Sequence, residues 1–259
     1  MRIWDGGEAR IVLGRADRSM KTFLKHLAHT FGYDIRKYVI ENNWDLQLRR
    51  LLEMHNIATV VDVGANAGQY ALKLREIGYR GRIISIEPLL AAHTLLQRRS
   101  SRDPDWTVAE RMALGDETGQ KTMNISANLV SSSFLRMKQT HTDAAAESKV
   151  IGKESIPVRR LDDIMDNLNI LSNVFLKLDV QGFEQKVLSG ASTFLTVTEG
   201  LQMELSLEEL YDGQPLYTEL IQFVEGRGFK LFALYPGFMD KRTGRLLQFD
   251  GIFFRVAPT

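Results

Sequence analysis

The chain has 259 residues, of which 44% are apolar, and its 33 basic side chains nearly balance 32 acidic ones. This composition excludes a disordered polypeptide, and a net charge of +1 gives no sign of a nucleic-acid partner. No run approaches the roughly 18 uninterrupted apolar residues of a membrane span, and the lack of cysteine excludes disulfides and zinc–cysteine sites. Because the first residues also lack the apolar core of a signal peptide, we expect a cytoplasmic protein built on one α/β domain with an appendage.

The first part of the chain differs in pattern from the rest. Residues 1–56 show no alternation of strands and turns, but residues 20–30 and 44–55 have helical patterns. In the second of these, leucines recur at spacings suited to packing. We therefore predict a helical N-terminal cap at residues 1–56 and a main domain at residues 57–259.

From Thr59 onward, apolar runs of strand length alternate with helical patterns, which predicts βαβ units and a largely parallel sheet. The predicted strands are residues 59–63, 81–87, 106–110, 157–161, 173–179, 201–206, 230–234 and 251–256, with residues 121–125 as a possible addition. The predicted helices are residues 69–77, 89–99, 162–168, 183–188 and 216–225. Residues 128–153 show no clear period. We expect a flexible flap near the ligand there, with a disordered insertion as the alternative.

The first predicted strand leads into the most informative stretch, Gly64-Ala-Asn-Ala-Gly68, after which a helical pattern begins. Glycines at this spacing allow a tight turn that brings the backbone close to a nucleotide-like ligand. The second strand ends on Glu87, where a carboxylate can accept hydrogen bonds from both hydroxyls of a ribose. With Asp62 and Asp179, three acids come at strand ends, which meet at the ligand in a parallel sheet.

The details of this turn favour one nucleoside cofactor over another. Gln69 follows Gly68, so the third glycine of the dinucleotide pattern Gly-x-Gly-x-x-Gly is missing, and Asp62 would repel a pyrophosphate. S-adenosylmethionine carries no phosphate, and an acid at Asp62 could orient its amino acid end. An NAD-dependent oxidoreductase is the first alternative, although Tyr33 and Lys37, spaced like a short-chain dehydrogenase pair, precede the turn instead of following it.

Four ordered motifs support a resemblance to a known family. They are residues 62–68 (DVGANAG), 86–88 (IEP), 113–116 (ALGD) and 177–184 (KLDVQGFE), the last followed by 187–190 (VLSG). Together they resemble the FkbM family of class I S-adenosylmethionine-dependent methyltransferases. The resemblance implies a Rossmann-like α/β fold whose seven-stranded, mostly parallel sheet has a reversed last strand. It also implies O-methylation, often of a sugar hydroxyl in a glycolipid, polysaccharide or glycosylated natural product.

The resemblance also implies roles for particular residues in binding S-adenosylmethionine. The methionine part would be held by Asp62, Gly64, Asn66 and Gly68, the ribose by Glu87, and the adenine by Met112 and Ala113. Gln181 departs from the family, which often has Glu at this position, and this departure argues against a metal-dependent mechanism. We therefore predict no metal site and expect a small-molecule or glycan acceptor as the other partner.

Transfer of a methyl group to an alcohol needs a base for the hydroxyl proton. The candidates are Asp179, which combines motif position with a strand end, Glu204 within a later strand, and His141, whose intrinsic pKa suits a base. Lys177 lies two residues before Asp179 and therefore on the same face, so we predict an ion pair between them. Because the base is not decided by sequence, a non-catalytic nucleoside-binding protein is the second alternative.

Overall fold

The computed structural model describes residues 17–35, 37–170 and 172–256. Contacts divide the chain into two compact units, residues 1–44 and 45–259. Within the first unit, helix α1 spans Asp17–Thr30 and a short 3₁₀ helix spans Ile40–Asn42. Gly32, two residues after the end of α1, has a positive φ of 78°, which lets the chain turn back so that the N–H groups of Gly32 and Tyr33 bond the last helical carbonyl groups. Residues 1–16 of the predicted cap lie outside the described part of the chain.

Helix α2, Trp44–Met54, packs with the second unit. Its buried Leu48, Leu51 and Leu52 lie in one apolar core with Val60 and Ile83 of the sheet. The boundary between the two compact units, after residue 44, thus lies before the predicted domain boundary at residue 56.

The second unit is built on a seven-stranded sheet. Its strands are β1 Thr59–Val63, β2 Arg82–Ile86, β3 Trp106–Val108, β7 Val174–Leu178, β8 Thr198–Ser206, β9 Phe229–Pro236 and β12 Gln248–Arg255. They lie in the order β3-β2-β1-β7-β8-β12-β9. The last strand, β12, runs antiparallel to both of its neighbours, while the pairs from β3 to β8 are parallel. The predicted seven-stranded, mostly parallel sheet with a reversed last strand is confirmed.

Helices cover both faces of this sheet, so its strands are apolar on both sides. The helices are α3 Gln69–Glu76, α4 Leu90–Ser100, α5 Gln139–Ala144, α6 Leu161–Ile164, α7 Glu184–Ser189, α8 Phe194–Val197 and α9 Tyr217–Glu225. Successive side chains of β1 enter opposite cores: Val61 and Val63 lie in one, and Val60 lies in the other with Leu74 of α3. None of the described helices combines the length and the apolar character needed to span a bilayer.

Residues 113–159 form a second, three-stranded sheet in the order β4-β6-β5. Its strands are β4 Ala113–Leu114, β5 Gly119–Ser126 and β6 Val150–Arg159, and a separate two-stranded ribbon joins β10 Met239–Asp240 to β11 Arg245–Leu246. The possible strand at residues 121–125 is thus real, and the strand expected at residues 157–161 begins earlier, at Val150.

Residues 128–153, where we expected a flexible flap near the ligand or a disordered insertion, contain regular structure. This segment contains α5, a 3₁₀ helix at Ala146–Ser148 and the start of β6. Ser133 exchanges backbone hydrogen bonds of 2.8 and 3.1 Å with Asn124 of β5, and the Lys138 N–H donates to the Leu210 carbonyl, which is distant in sequence. Partners outside the segment leave no periodic pattern in its local sequence.

Candidate functional site

Three loops meet at the carboxyl edge of the main sheet, where β1, β2 and β7 end. The N–H groups of Gly64 and Ala65 donate to the Ile86 carbonyl at 3.0 and 3.1 Å, and the Asp179 N–H donates to the Val63 carbonyl at 3.1 Å. These bonds continue the pairing of the three strands into the loops. They hold the glycine turn, Glu87 and Asp179 in one rigid arrangement.

The two glycines of the turn are required for different reasons. Gly64 has a φ of +76°, and a Cβ atom there would collide with the carbonyl oxygen of Asp179. Gly68 has a φ of +86° and precedes α3, and a Cβ atom there would lie 2.7 Å from the Trp106 ring. Gly64 therefore allows the β1 and β7 loops to touch, and Gly68 allows α3 to pack close to the sheet.

Glu87 is a buried carboxylate with a defined orientation. Its Oε2 accepts a hydrogen bond from the Asn66 N–H and its Oε1 accepts one from the Leu89 N–H, each at 2.8 Å. Burial raises the pKa of Glu87 to about 7, although the two N–H donors act in the opposite direction. Each oxygen retains a second acceptor site, which suits a pair of neighbouring hydroxyls.

A cleft of about 640 Å³, including space open to solvent, lies above these loops and is called here the first cleft. Its walls contain Gly64, Asn66, Glu87, Met112 and Ala113, all predicted to contact the cofactor. The remaining walls are largely apolar, as is usual for small-molecule sites. Asp62 and Gly68 are not among the lining residues. They lie behind the wall and support it.

Asp62 belongs to a buried ion-pair network. The Lys177 ammonium lies 3.2 Å from Asp62 Oδ1 and 3.2 Å from Asp179 Oδ2, so the ion pair predicted between Lys177 and Asp179 is confirmed. Among the described residues, none gives either Asp62 oxygen a hydrogen bond of regular geometry, so the contact with Lys177 is an ion pair only. Burial raises the pKa of Asp62 against the effect of Lys177. Burial lowers the pKa of Lys177, but the negative charges of Asp179 and Asp62 have the larger combined effect and hold this pKa above its usual range.

A neighbouring cleft of about 670 Å³, again including open space, is called the second cleft. It is lined by Asn128, Val130, Ser131, His141, Ala145, Glu147, Asp179, Gln181, Glu204, Phe238 and Gln248. The two clefts share Val130, Asp179 and Gln181. All three predicted base candidates line the second cleft, and Asp179 alone among them also lines the first.

Gln181 connects two of these carboxylates. Its Nε2 donates to Asp179 Oδ1 at 2.8 Å and to Glu204 Oε2 at 3.0 Å, while its Oε1 accepts from the Tyr211 hydroxyl at 2.8 Å. The Tyr211 hydroxyl also lies 3.0 Å from the Ser131 carbonyl, so the Gln181 amide is held between two acids on its nitrogen side and Tyr211 on its oxygen side. Gln181 itself has a φ of +54°, and Gly182 follows at +91°. This left-handed turn directs the amide between the two carboxylates.

Glu204 and His141 are less suited to act as bases. Burial raises the pKa of Glu204 well above its usual range, and the charges of Asp179 and Glu184 add to this effect, so Glu204 is favoured in its protonated form. His141 is buried, although it lies in the segment expected to form a flexible flap. Its Nδ1 lies 2.9 Å from Ser148 Oγ and its Nε2 lies 3.4 Å from the Tyr211 hydroxyl. Burial lowers the pKa of His141.

Sequence reasoning missed several residues of this region. Tyr211, Phe238 and Gln248 come from the chain after β8, and Ser131 comes from the segment expected to be flexible. Single polar or aromatic residues of this kind carry no spacing signal. Gln181 was identified only as a departure from the family pattern, and its partners are fixed by tertiary structure.

The strand order with a reversed last strand, the glycine turn after β1 and the acid after β2 together define a Rossmann-like class I methyltransferase. Residues 62–231 match the methyltransferase FkbM domain, which is more than half of the chain. The chain belongs to the FkbM methyltransferase family, as the motifs predicted. S-adenosylmethionine is therefore its methyl donor, and the NAD-dependent oxidoreductase alternative is excluded.

Similarity also extends to individual proteins. The 2-O-methyltransferase NoeI of Sinorhizobium fredii (strain NBRC 101917 / NGR234) is 25% identical over 220 residues, which cover 82% of this chain and 88% of NoeI. An O-methyltransferase from Bacillus cereus, solved in complex with SAH, is 9% identical, with a TM-score of 0.45 over 95% of this chain and 94% of that one. An rRNA methylase from Streptococcus thermophilus is 11% identical, with a TM-score of 0.44 over 82% of this chain and 95% of that one.

Proposed function

We propose that this protein transfers a methyl group from S-adenosylmethionine to a hydroxyl oxygen of a sugar. The observation that carries the proposal is the position of Asp179, which lines both clefts and is the one predicted base to do so. Similarity to NoeI, named as a 2-O-methyltransferase, supports transfer to oxygen. The cofactor belongs in the first cleft and the acceptor on the other side of Asp179.

The first cleft fits the chemistry of S-adenosylmethionine. Glu87 presents a fixed, buried carboxylate for the two ribose hydroxyls, and Met112 and Ala113 contribute apolar wall for the adenine. Gly64 and Asn66 bring the backbone of the turn to the cleft surface for the methionine part. Asp62 and Gly68 act indirectly: Asp62 pairs with Lys177, and Gly68 lets α3 pack beneath the turn. When bound, S-adenosylmethionine supplies an activated methyl group on a positively charged sulfur.

Asp179 is assigned as the base that accepts the hydroxyl proton of the acceptor. Its Oδ2 lies 3.2 Å from the Lys177 ammonium and its Oδ1 accepts a hydrogen bond from the Gln181 amide, so both oxygens of the side chain are held in place. Its side chain is 41% exposed, so a substrate hydroxyl can reach it. Glu204, favoured in its protonated form, is placed to donate a hydrogen bond to the acceptor. The chain's own contribution is thus alignment of the acceptor oxygen and removal of its proton.

The substitution Asp179→Asn tests this assignment. Loss of a positioned base should lower turnover roughly 10²- to 10⁴-fold, while the affinity for S-adenosylhomocysteine, measured by calorimetry, should stay near the wild-type value. Methyl transfer would be followed with labelled S-adenosylmethionine on a panel of glycans, and Glu204→Gln is the matched control. Near-normal turnover of Asp179→Asn would move the base to Glu204 or His141. Cofactor binding without transfer to any glycan would support the non-catalytic alternative.

A further inference from the structure

We propose that the second cleft is the acceptor site and that it selects an uncharged carbohydrate over an anionic one. This inference rests on the proposed methyl transfer, and it adds the chemical class of the acceptor and the residues that recognise it. The two clefts meet at Asp179. A ligand in the second cleft would lie against Asp179, Val130 and Gln181, and these three residues also line the first cleft.

The polar walls of the second cleft suit sugar hydroxyls. A hydroxyl both donates and accepts, so it is best met by groups that do the same or that occur in pairs of donor and acceptor. Asn128 and Ser131 contribute an amide and a hydroxyl group to the lining, while the amides of Gln181 and Gln248, which also line the cleft, are bonded to neighbouring protein groups. Asn128 and Ser131 are also bonded to each other, with Asn128 Nδ2 donating to Ser131 Oγ at 3.1 Å, so their side chains are held in place. These walls are therefore preorganised for a neutral polar ligand.

One aromatic side chain completes the cleft. Phe238 is half-buried, and its ring centre lies 5.1 Å from that of His141. The centre of the Tyr211 ring lies 5.4 Å from that of His141, with the two rings tilted to each other. Phe238 thus packs against His141 and offers an apolar surface to the cleft. A sugar ring has an apolar C–H face beside its hydroxyls, which such a ring can cover.

The charge of the second cleft decides which carbohydrates it can hold. Three of its lining residues, Glu147, Asp179 and Glu204, are acids, and no lysine or arginine is found among the described residues that line it. Lys177 is 8% exposed, and its ammonium is paired with Asp62 and Asp179. Glu204, favoured in its protonated form, adds no charge, so a phosphate or carboxylate on the acceptor would meet the carboxylates of Glu147 and Asp179. The nearby Lys177 is already paired, and selection against anions is therefore built into the site.

A binding experiment with matched ligands tests this selectivity. An array of neutral oligosaccharides, each paired with a version carrying a uronic acid or a phosphate, would be probed with the full chain saturated with S-adenosylhomocysteine. We expect neutral members to bind roughly tenfold or more tightly than their anionic partners. Equal or tighter binding of the anionic members, or binding of no neutral member, would overturn the proposal. Failure to bind S-adenosylhomocysteine would instead refute the proposed function.

Two pairs of variants connect the selectivity to this cleft. Glu147 is exposed and lies outside the proposed catalytic group, so Glu147→Lys should fold normally and reduce the discrimination against anions, whereas Glu147→Gln should change it less. Phe238→Ala should weaken binding of neutral glycans, and Phe238→Tyr should retain it. All four variants should bind S-adenosylhomocysteine like the wild type. Unchanged glycan affinity in both Phe238→Ala and Glu147→Lys would place the acceptor elsewhere.

Discussion

Replacement of Glu87 by glutamine examines the first cleft at its most defined contact. The carboxylate accepts the Asn66 and Leu89 N–H groups, one on each oxygen. A glutamine of nearly the same shape has one oxygen and one NH₂, so one of the two backbone donors would face another donor. The variant therefore loses a charged acceptor for the ribose and disturbs the position of the side chain.

The magnitude follows from the hydrogen bonds and from the pKa. Hydrogen bonds to a charged group are worth about 1.5 to 3 kcal/mol, so Glu87→Gln should weaken binding of S-adenosylhomocysteine roughly 10- to 100-fold at pH 8, and Glu87→Ala should fall in the same range. In the wild type, the Glu87 pKa of about 7 means that a proton competes with the ribose below neutrality. Affinity should therefore fall roughly tenfold from pH 8 to pH 6.

The same pKa has a consequence for stability. The pKa of Glu87 is raised on folding from 4.5 to about 7, so the folded chain binds the proton more tightly than the unfolded chain. Its contribution is fully present below pH 4.5 and is lost as the pH rises through 7, by roughly 3 kcal/mol in total. Glu184, whose pKa burial also raises to about 7, adds a change of the same sign. Glu87→Gln should remove only the Glu87 part of this pH dependence.

Calorimetric titration with S-adenosylhomocysteine at pH 6, 7 and 8 measures the affinities, and urea unfolding at pH 5 to 8 measures the stability. Glu184→Gln is the matched control, because Glu184 is buried outside the first cleft. It should keep the pH dependence of binding that Glu87→Gln loses. A flat binding profile in the wild type, or wild-type affinity in Glu87→Gln, would refute the ribose role of Glu87.

Three further substitutions examine the supports of the site. Gly64→Ala would place a Cβ atom against the Asp179 carbonyl. We therefore expect lower cofactor affinity in calorimetry and, in urea unfolding, a destabilisation of more than about 1 kcal/mol. Wild-type values in both assays would contradict the need for close approach of the two loops. Lys177→Met leaves Asp62 buried without its cation and should cost about 3 to 5 kcal/mol of unfolding free energy; a loss below about 1 kcal/mol would show that Asp62 has another partner. Tyr211→Phe removes the hydroxyl that contacts the Gln181 amide. Turnover should fall several-fold, while the affinity for S-adenosylhomocysteine should be kept. An equal loss of turnover and affinity would argue against a positioning role for Tyr211.

The sequence predicted the sheet well because its strands are buried on both sides. Two-sided burial favours mostly apolar runs such as residues 60–63 and 174–178, each interrupted by one charged residue, Asp62 or Lys177, and these runs are visible without any tertiary information. The glycine turn was also visible, because its backbone conformation restricts which residues can occupy it. Its neighbour Glu87 was predicted from position alone and is found on the cleft wall.

The structure of residues 128–153 could not be predicted from local sequence patterns. Their short helices and buried serines have no repeating apolar pattern, because their packing partners are Asn124, Leu210 and Tyr211 from other parts of the chain. His141 illustrates the same effect. Its sequence surroundings are polar, yet it is enclosed by Ser148, Tyr211 and Phe238.

By itself, the sequence determined the cofactor side of this protein: the strand, turn and helix around Gly64, the acid at Glu87 and the methyltransferase family. These features are local, because each depends on backbone conformation or on burial within a few adjacent residues. Only the tertiary structure placed Asp179 between two clefts and joined it to Glu204 through Gln181, whose amide oxygen faces the Tyr211 hydroxyl. Such contacts join residues that are distant in sequence, and their energies depend on distances and burial that arise only on folding.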